Sequence, residues 1–241
     1  MSASSTPPQT GGSSGRAVSR PNKWPSSKLY KETVSILVGP NKEKYILHKG
    51  LLCFYSDFFR AAFEGAFKEA HENKIELPDV FVDVFEAFQV WLYSRSLRDP
   101  KDHGDSSTRP QLLPHRILAY LWVFGDKYQI PLLQNDSADA LLGKLDQENL
   151  FATFVVHVAY QSTMQGSPLR RLAIDLCVYK MEHKEGEISI FKQSHSSNWS
   201  QEALIDFARR MSDAWQHGLA WGSLPSKDKC HYHVHAAGGS C

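Results

Sequence analysis

Three short stretches of the chain are rich in hydrophobic residues and are predicted to be strands. In the first, Val34, Ile36 and Val38 share one face, and in the third Ile75 and Leu77 alternate with polar residues, as expected for strands that bury one face. The first two stretches are joined by Gly39-Pro40-Asn41, which favours a turn, and Pro78 ends the third. The pattern therefore predicts a small sheet of three strands. The stretches are residues 34–38, 45–48 and 75–77.

Elsewhere the hydrophobic residues recur at spacings of three and four, which is typical of helices with one buried face. Ser56 is well placed to cap one of these helices, and Asn198 or Ser200 to cap the last. Strands followed by clustered helices predict an α+β fold with a long helical continuation. The first stripe is Phe58, Phe59, Ala62, Phe63 and Ala66, and later helical patterns cover residues 80–92, 116–128, 132–142, 149–160, 167–179 and 200–215.

Composition divides the chain into segments. Residues 1–28 are rich in Ser, Pro and Gly, cannot bury enough apolar surface to offset their ordering entropy, and are expected to be a disordered arm. We expect the α+β domain at 29–145, with a surface insertion at 98–114 marked by turn residues. A helical extension is expected at 146–225, and a tail containing Cys and His at 226–241.

Charge and targeting signals exclude several classes of protein. A formal net charge of +1 argues against a nucleic-acid binder, and we interpret the basic doublets Arg170-Arg171 and Arg209-Arg210 as solvated helix faces. Residues 1–14 show no signal peptide, and no run of 18 apolar residues predicts a membrane span. We therefore expect a reduced protein of the cytoplasm or nucleus, with free thiols at Cys53, Cys177, Cys230 and Cys241.

The order of these elements resembles the BTB/POZ domain. The resemblance rests on the segment ILHKGLLCFYSDFFRAAFEGAFKEAHENKIELPD and continues through LWVFGDKYQIPLLQNDSADAL, which looks like the helical hairpin that closes the family's core. It implies a protein-interaction module rather than a catalyst. Single-domain members of the fungal type are similar in carrying a helical extension, and no kelch-like repeat period is present.

The resemblance also implies a partner-binding site at Phe67-Lys68-Glu69. Family members that recruit the cullin-3 scaffold tend to carry a hydrophobic-x-Glu motif just after the second core helix, where these residues fall. An exposed Phe67 would anchor in a groove, and Glu69 would supply charge complementarity. In the alternative interpretation Phe67 packs onto the core and Glu69 is only solvated.

A second set of candidate residues matches the region where BTB dimers meet. Leu51 and Leu52 could contact another copy or could be core residues, and Lys49 matches the family's basic pocket residue. Thr33 stands where the family often has the Asp that pairs with this residue. Residues 21–27 hold Pro and Ser where dimeric members have a helix and strand, so a homodimer and a monomer are both open.

Two groups of residues suggest chemistry. His48 could act as a general base with Cys53 or Asp57, although the family uses a His at this position in the core. The tail could hold a structural zinc, because an extended backbone places alternate side chains on one face and zinc prefers four N or S ligands. The alternative is a polar tail. The candidate ligands are Cys230, His231, His233, His235 and Cys241.

Together these observations predict a non-enzymatic interaction protein, with substrate adaptor of a cullin-3 RING ubiquitin ligase as the first hypothesis. A self-associating scaffold or transcription-associated regulator is the second. The third is a metal-dependent hydrolase that uses the tail histidines.

Overall fold

The computed structural model describes most of the predicted α+β domain and most of the predicted helical extension. The predicted arm, except for its last residues, and residues 98–112 of the predicted insertion lie outside the described part of the chain, as does Cys241. The described residues are 25–97, 113–147, 153–182, 193–216 and 229–235.

The sheet has the three predicted strands, β1 (Thr33–Val38), β2 (Glu43–His48) and β3 (Lys74–Leu77), in the order β2-β1-β3. β1 pairs antiparallel with β2 and parallel with β3. A tight turn at Gly39, whose φ of +71° favours glycine, is enough to reverse the chain between β1 and β2. A parallel neighbour instead requires a crossover, which three helices provide. The side chains of Val34, Ile36 and Val38 all point into the core, as alternation predicts.

The helices around the sheet follow the predicted stripes with one correction. The predicted stripe from Phe58 to Ala66 is too long, because the helix ends at Glu64 and Ala66 is exposed. Ser56 caps this helix, since its Oγ accepts a hydrogen bond from the Phe59 N–H at 2.9 Å. The helices are α1 (Lys49–Tyr55), α2 (Asp57–Glu64), α3 (Lys68–Glu72), α4 (Val82–Ser94), α5 (His115–Lys127) and α6 (Pro131–Gln147).

Among the described residues of the C-terminal half, three more α-helices are present: α7 (Phe154–Ser162), α8 (Pro168–Glu182) and α9 (Gln201–Gln216). Ser200 caps α9, because its Oγ accepts from the Ala203 N–H at 3.1 Å. Asn198 has a different role and donates to Thr153 Oγ1 at 2.8 Å. Over the residues that the structure describes, no helix combines the length and hydrophobicity needed to cross a bilayer. Short 3₁₀ turns occur at Ser27–Tyr30, Gln193–Asn198 and Lys229–Tyr232.

The C-terminal helices pack back onto the domain that precedes them. α7 contacts α5, α8 contacts α6, and α9 lies against α7 and α8. One continuous hydrophobic cluster therefore contains Trp91 and Phe124 together with Val155 and Leu176 from the C-terminal half. This packing gives α7 and α8 a second buried side, which explains why their hydrophobic residues are not confined to a narrow stripe.

Candidate protein-interaction surfaces

Phe67 lies on the surface, held between two short helices. The side chain is 59% exposed, so the interpretation that it packs onto the core is wrong. Its backbone is extended (φ −82°, ψ 161°) and it occupies the N-cap position of α3. Gly65 permits the tight exit from α2, because a Cβ there would collide with the Ala61 carbonyl oxygen. Local backbone geometry therefore presents Phe67 outward.

Lys68 and Glu69 begin α3 directly after Phe67. Lys68 is exposed and its Nζ lies 3.4 Å from the Glu72 carboxylate, whereas Glu69 is half-buried in the first turn. An acidic residue near a helix N-terminus is favourable, because it faces the positive end of the helix dipole. The three residues of the predicted site thus share one surface, in which the exposed apolar ring of Phe67 is followed by the charged side chains of Lys68 and Glu69. We call Phe67, Lys68 and Glu69 the Phe67 surface.

Leu51 and Leu52 do not belong to the surface. Both side chains are buried in the core, with exposed fractions of 0% and 1%, so the prediction that they meet a partner is wrong for this chain and the core alternative is correct. Lys49 has a partner within the chain: its Nζ lies 3.6 Å from the Glu32 carboxylate, and its N–H donates to the Glu32 carbonyl at 2.9 Å. From the sequence, an acidic partner of Lys49 was sought only at position 33, which is a Thr, and Glu32 directly before it was missed.

His48, Cys53 and Asp57 do not converge on one site. The His48 Nδ1 lies 2.9 Å from the Tyr93 hydroxyl, and Asp57 forms an ion pair with Arg60. The Cys53 thiol lies 3.7 Å from the Phe59 carbonyl oxygen, and burial raises its pKa to about 11. Because the thiolate is the nucleophilic form, Cys53 is in its unreactive state near neutral pH.

His48 instead forms part of a surface that sequence reasoning missed. Strand alternation places Ile46 and His48 on the outer face of β2, and the rings of Tyr30 and Tyr93 lie 5.3 Å and 5.8 Å from the His48 ring. Ile46 is 61% exposed, and both tyrosines are 41% exposed. We call Tyr30, Ile46, His48 and Tyr93 the Ile46 patch. Its only signal in the sequence is an Ile on the outer face of a strand.

The predicted zinc ligands do not form the expected extended strand. Residues 229–232 form a 3₁₀ turn, and Tyr232 is buried between helices. His231 Nε2 lies 3.8 Å from Asp175, whereas His233 Nε2 lies 3.2 Å from Asp139, so the two rings meet different carboxylates. In the described ranges, which include Cys230 and His235 but not Cys241, no group of three or more His, Cys, Asp or Glu residues is arranged to hold a metal ion.

A mixed three-stranded sheet closed by a helical hairpin, with an exposed aromatic residue at a helix start, defines a small α+β interaction domain. The family model of the BTB/POZ domain matches residues 27–144, and the chain belongs to this family through that region. BTB/POZ domains bind protein partners, so the coarse prediction of an interaction module is confirmed.

One relative is BTB and MATH domain-containing protein 38 of Caenorhabditis elegans, which is 27% identical over 106 residues. The match covers 44% of this chain and 24% of the relative, so the shared region spans about a quarter of that protein. The fungal type of the chain and the role of its helical extension stay predictions.

Proposed function

We propose that this protein is a substrate adaptor for a cullin-3 RING ubiquitin ligase and that the Phe67 surface is its contact with the scaffold. The observation that carries the proposal is the 59% exposure of Phe67 at a backbone position fixed by the end of α2 and the start of α3. The protein would act by positioning rather than by catalysis, because an adaptor that holds a substrate near the ligase raises the effective concentration of that substrate. We propose that it works in the cytoplasm or nucleus.

The physical argument concerns how a side chain of this kind binds. Aromatic residues dominate interface energetics because they bury a large apolar area at low cost in conformational entropy. Phe67 is held by main-chain geometry, so little ordering of its backbone would accompany binding. Glu69 would add a charged group beside the anchor, which fixes orientation and favours a basic partner surface.

The test is a binding titration of the full chain with the N-terminal domain of cullin-3. The double variant Phe67→Ala/Glu69→Lys is expected to bind at least 30-fold more weakly, which corresponds to losing a hot-spot contribution of about 2 kcal/mol. Calorimetry or surface plasmon resonance measures the change.

Phe81→Ala is a matched control, because Phe81 is also an exposed phenylalanine at the N-cap of a helix, with 51% exposure. We expect it to bind cullin-3 within twofold of the unaltered chain. The proposal fails if the unaltered chain does not bind cullin-3, or if the double variant binds as tightly as the Phe81→Ala control.

A second candidate function, self-association as a scaffold or transcription-associated regulator, is favoured by the Ile46 patch. Single exposed apolar residues are ordinary, but contiguous ones mark interfaces. β2 is also an edge strand of the sheet, and edge strands invite pairing with another chain.

Light scattering of the full chain at increasing micromolar concentrations tests self-association. We expect a dimer mass for the unaltered chain and a monomer mass for Ile46→Lys. Met164→Lys is the matched control, since Met164 is 86% exposed on the turn between α7 and α8 and should leave the mass unchanged. A monomer at all concentrations, or a dimer that survives Ile46→Lys, would rule this role out for the patch.

A further inference from the structure

The side chain of Tyr232 is buried between the helices of the C-terminal half, although it belongs to a very short element. It is 1% exposed, and its hydroxyl donates to the Asp175 carboxylate at 2.9 Å. Arg210 donates to the other oxygen of that carboxylate at 2.6 Å. Burial and the Asp175 charge raise the pKa of the Tyr232 phenol, so the phenol remains a hydrogen-bond donor at neutral pH. The site therefore recognises the tyrosine hydroxyl as well as its ring.

The main chain two residues after Tyr232 is also recognised. The Val234 N–H donates to Asn135 Oδ1 at 2.7 Å, and the Asn135 amide group donates to the Val234 carbonyl at 3.2 Å. Asn135 is 5% exposed, so its amide would lack both partners if nothing lay beside it. One side chain thus pairs with both main-chain groups of one residue, as a neighbouring strand would.

The groups that hold this segment form two matched rows. Asn135 and Asp139 are four residues apart on α6, and Arg171 and Asp175 are four residues apart on α8, so each pair shares one helix face. Asp139 lies 3.2 Å from His233 Nε2, and Arg171 donates to the His231 carbonyl at 3.1 Å. α6 and α8 contact each other, so the rows line one groove. We call Asn135, Asp139, Arg171 and Asp175 the tail groove.

The helices that form the tail groove have stable secondary structure of their own, whereas the segment that contains Tyr232 has very little. The helices of the tail groove are long and are anchored in the core by residues such as Leu141 and Leu172, both with no exposed surface. The segment that fills the groove contains a single 3₁₀ turn, Lys229–Tyr232, and a turn of that length has little stability alone. The groove is therefore built from helices with core contacts of their own, whereas the segment that fills it has little structure of its own.

We propose that the tail groove is a peptide-binding site and that residues 230–235 are its reversible intramolecular ligand. The recognised element is a tyrosine whose hydroxyl meets Asp175, followed after one residue by a main-chain unit paired with Asn135. Residues 217–228 lie between α9 and the segment in the sequence. This inference does not depend on cullin-3 or on self-association, because the groove is formed by α6 and α8 and uses none of the residues of the Phe67 surface or the Ile46 patch.

The test uses the full chain with Tyr232→Ala, which removes the anchor and frees the groove. The probe is a fluorescent peptide of residues 229–235 in which Cys230 is replaced by Ser. In the unaltered chain the tethered segment competes at an effective concentration on the order of millimolar. We therefore expect the peptide to bind the Tyr232→Ala chain at least tenfold more tightly than the unaltered chain, as measured by fluorescence anisotropy.

Two controls test recognition. A peptide with the Tyr232→Ala change should lose binding, and the receptor Tyr232→Ala/Asn135→Ala should bind at least tenfold more weakly than Tyr232→Ala alone. Tyr232→Ala/Asn198→Ala is the matched receptor, since the Asn198 amide bonds to Thr153 rather than to the segment, and it should bind within twofold. Circular dichroism checks folding.

Three results would overturn the proposal. Loss of helical circular dichroism in the Tyr232→Ala chain would show that the segment is an integral part of the fold. A folded Tyr232→Ala chain that does not bind the peptide would show that the groove does not act on a separate ligand. Equal binding to the altered and unaltered chains would place the peptide at another site.

Discussion

Replacing Arg210 by alanine is expected to lower the free energy of unfolding by about 3 kcal/mol, near the low end of the loss when one member of a buried ion pair is removed. The Arg210 and Asp175 side chains are 17% and 5% exposed, and their closest atoms are 2.6 Å apart. Without the guanidinium, the Asp175 carboxylate stays buried, and the Tyr232 hydroxyl and His231 remain near it. Those partners compensate in part, which is why we expect the low end. Urea unfolding at pH 7 measures the change.

The neighbouring residue provides the control. Arg209 is 71% exposed and lies 3.4 Å from Asp206, a surface pair, so Arg209→Ala should change the free energy of unfolding by less than about 0.5 kcal/mol. Asp175→Asn in the Arg210→Ala background should recover about 1 kcal/mol, because it removes the uncompensated charge. Equal losses for the two arginine variants would contradict the buried pair.

Ser56→Ala is expected to cost about 2–4 kcal/mol of unfolding free energy, more than the loss of a helix cap alone. Ser56 is fully buried, and its hydroxyl both accepts from the Phe59 N–H and donates to the Tyr128 carbonyl at 2.6 Å. Losing the cap costs about 1 kcal/mol. A buried carbonyl left without its donor costs about 1–3 kcal/mol more. Thermal or urea unfolding of the full chain measures the total.

Ser200→Ala is the matched control, because Ser200 also caps a helix but is only half-buried. We expect it to lose about 1 kcal/mol, the value of a cap. The excess in Ser56→Ala over Ser200→Ala then measures the bond between the start of α2 and the end of α5. If the two variants lose the same amount, that bond contributes nothing to stability.

The sheet and the main helices could be predicted from the sequence because their signals are local. Short apolar runs between turn residues identified the strands, and three-and-four spacing identified the helices. Ser56 marked one helix start, whereas Asn198 and Ser200 were both open as the start of the last helix. The error at Ala66 is also local: α2 ends two residues earlier, and the chain turns at Gly65 so that Phe67 faces outward. Periodicity alone carries no signal for that turn.

Charge and polar patterns were less informative, because the same residue types serve opposite roles in different surroundings. Each basic doublet was interpreted as a solvated face. Instead, Arg210 pairs with the buried Asp175, and Arg170 is buried and pairs with the half-exposed Glu202, whereas Arg171 and Arg209 are exposed. Adjacent helical residues point about 100° apart, so one member of a doublet can be buried while the other is solvated. Which one is buried depends on where the neighbouring helix lies.

The sequence by itself determined the strands, the helices and the family, because these follow from the periodicity and order of residues along the chain. Only the tertiary structure decided that Leu51 and Leu52 are core residues, that Phe67 is exposed and that Tyr232 fills a groove between α6 and α8. The physical reason is that burial is set by what packs against a side chain. For these residues the neighbours come from distant parts of the chain, such as Asp175 for Tyr232.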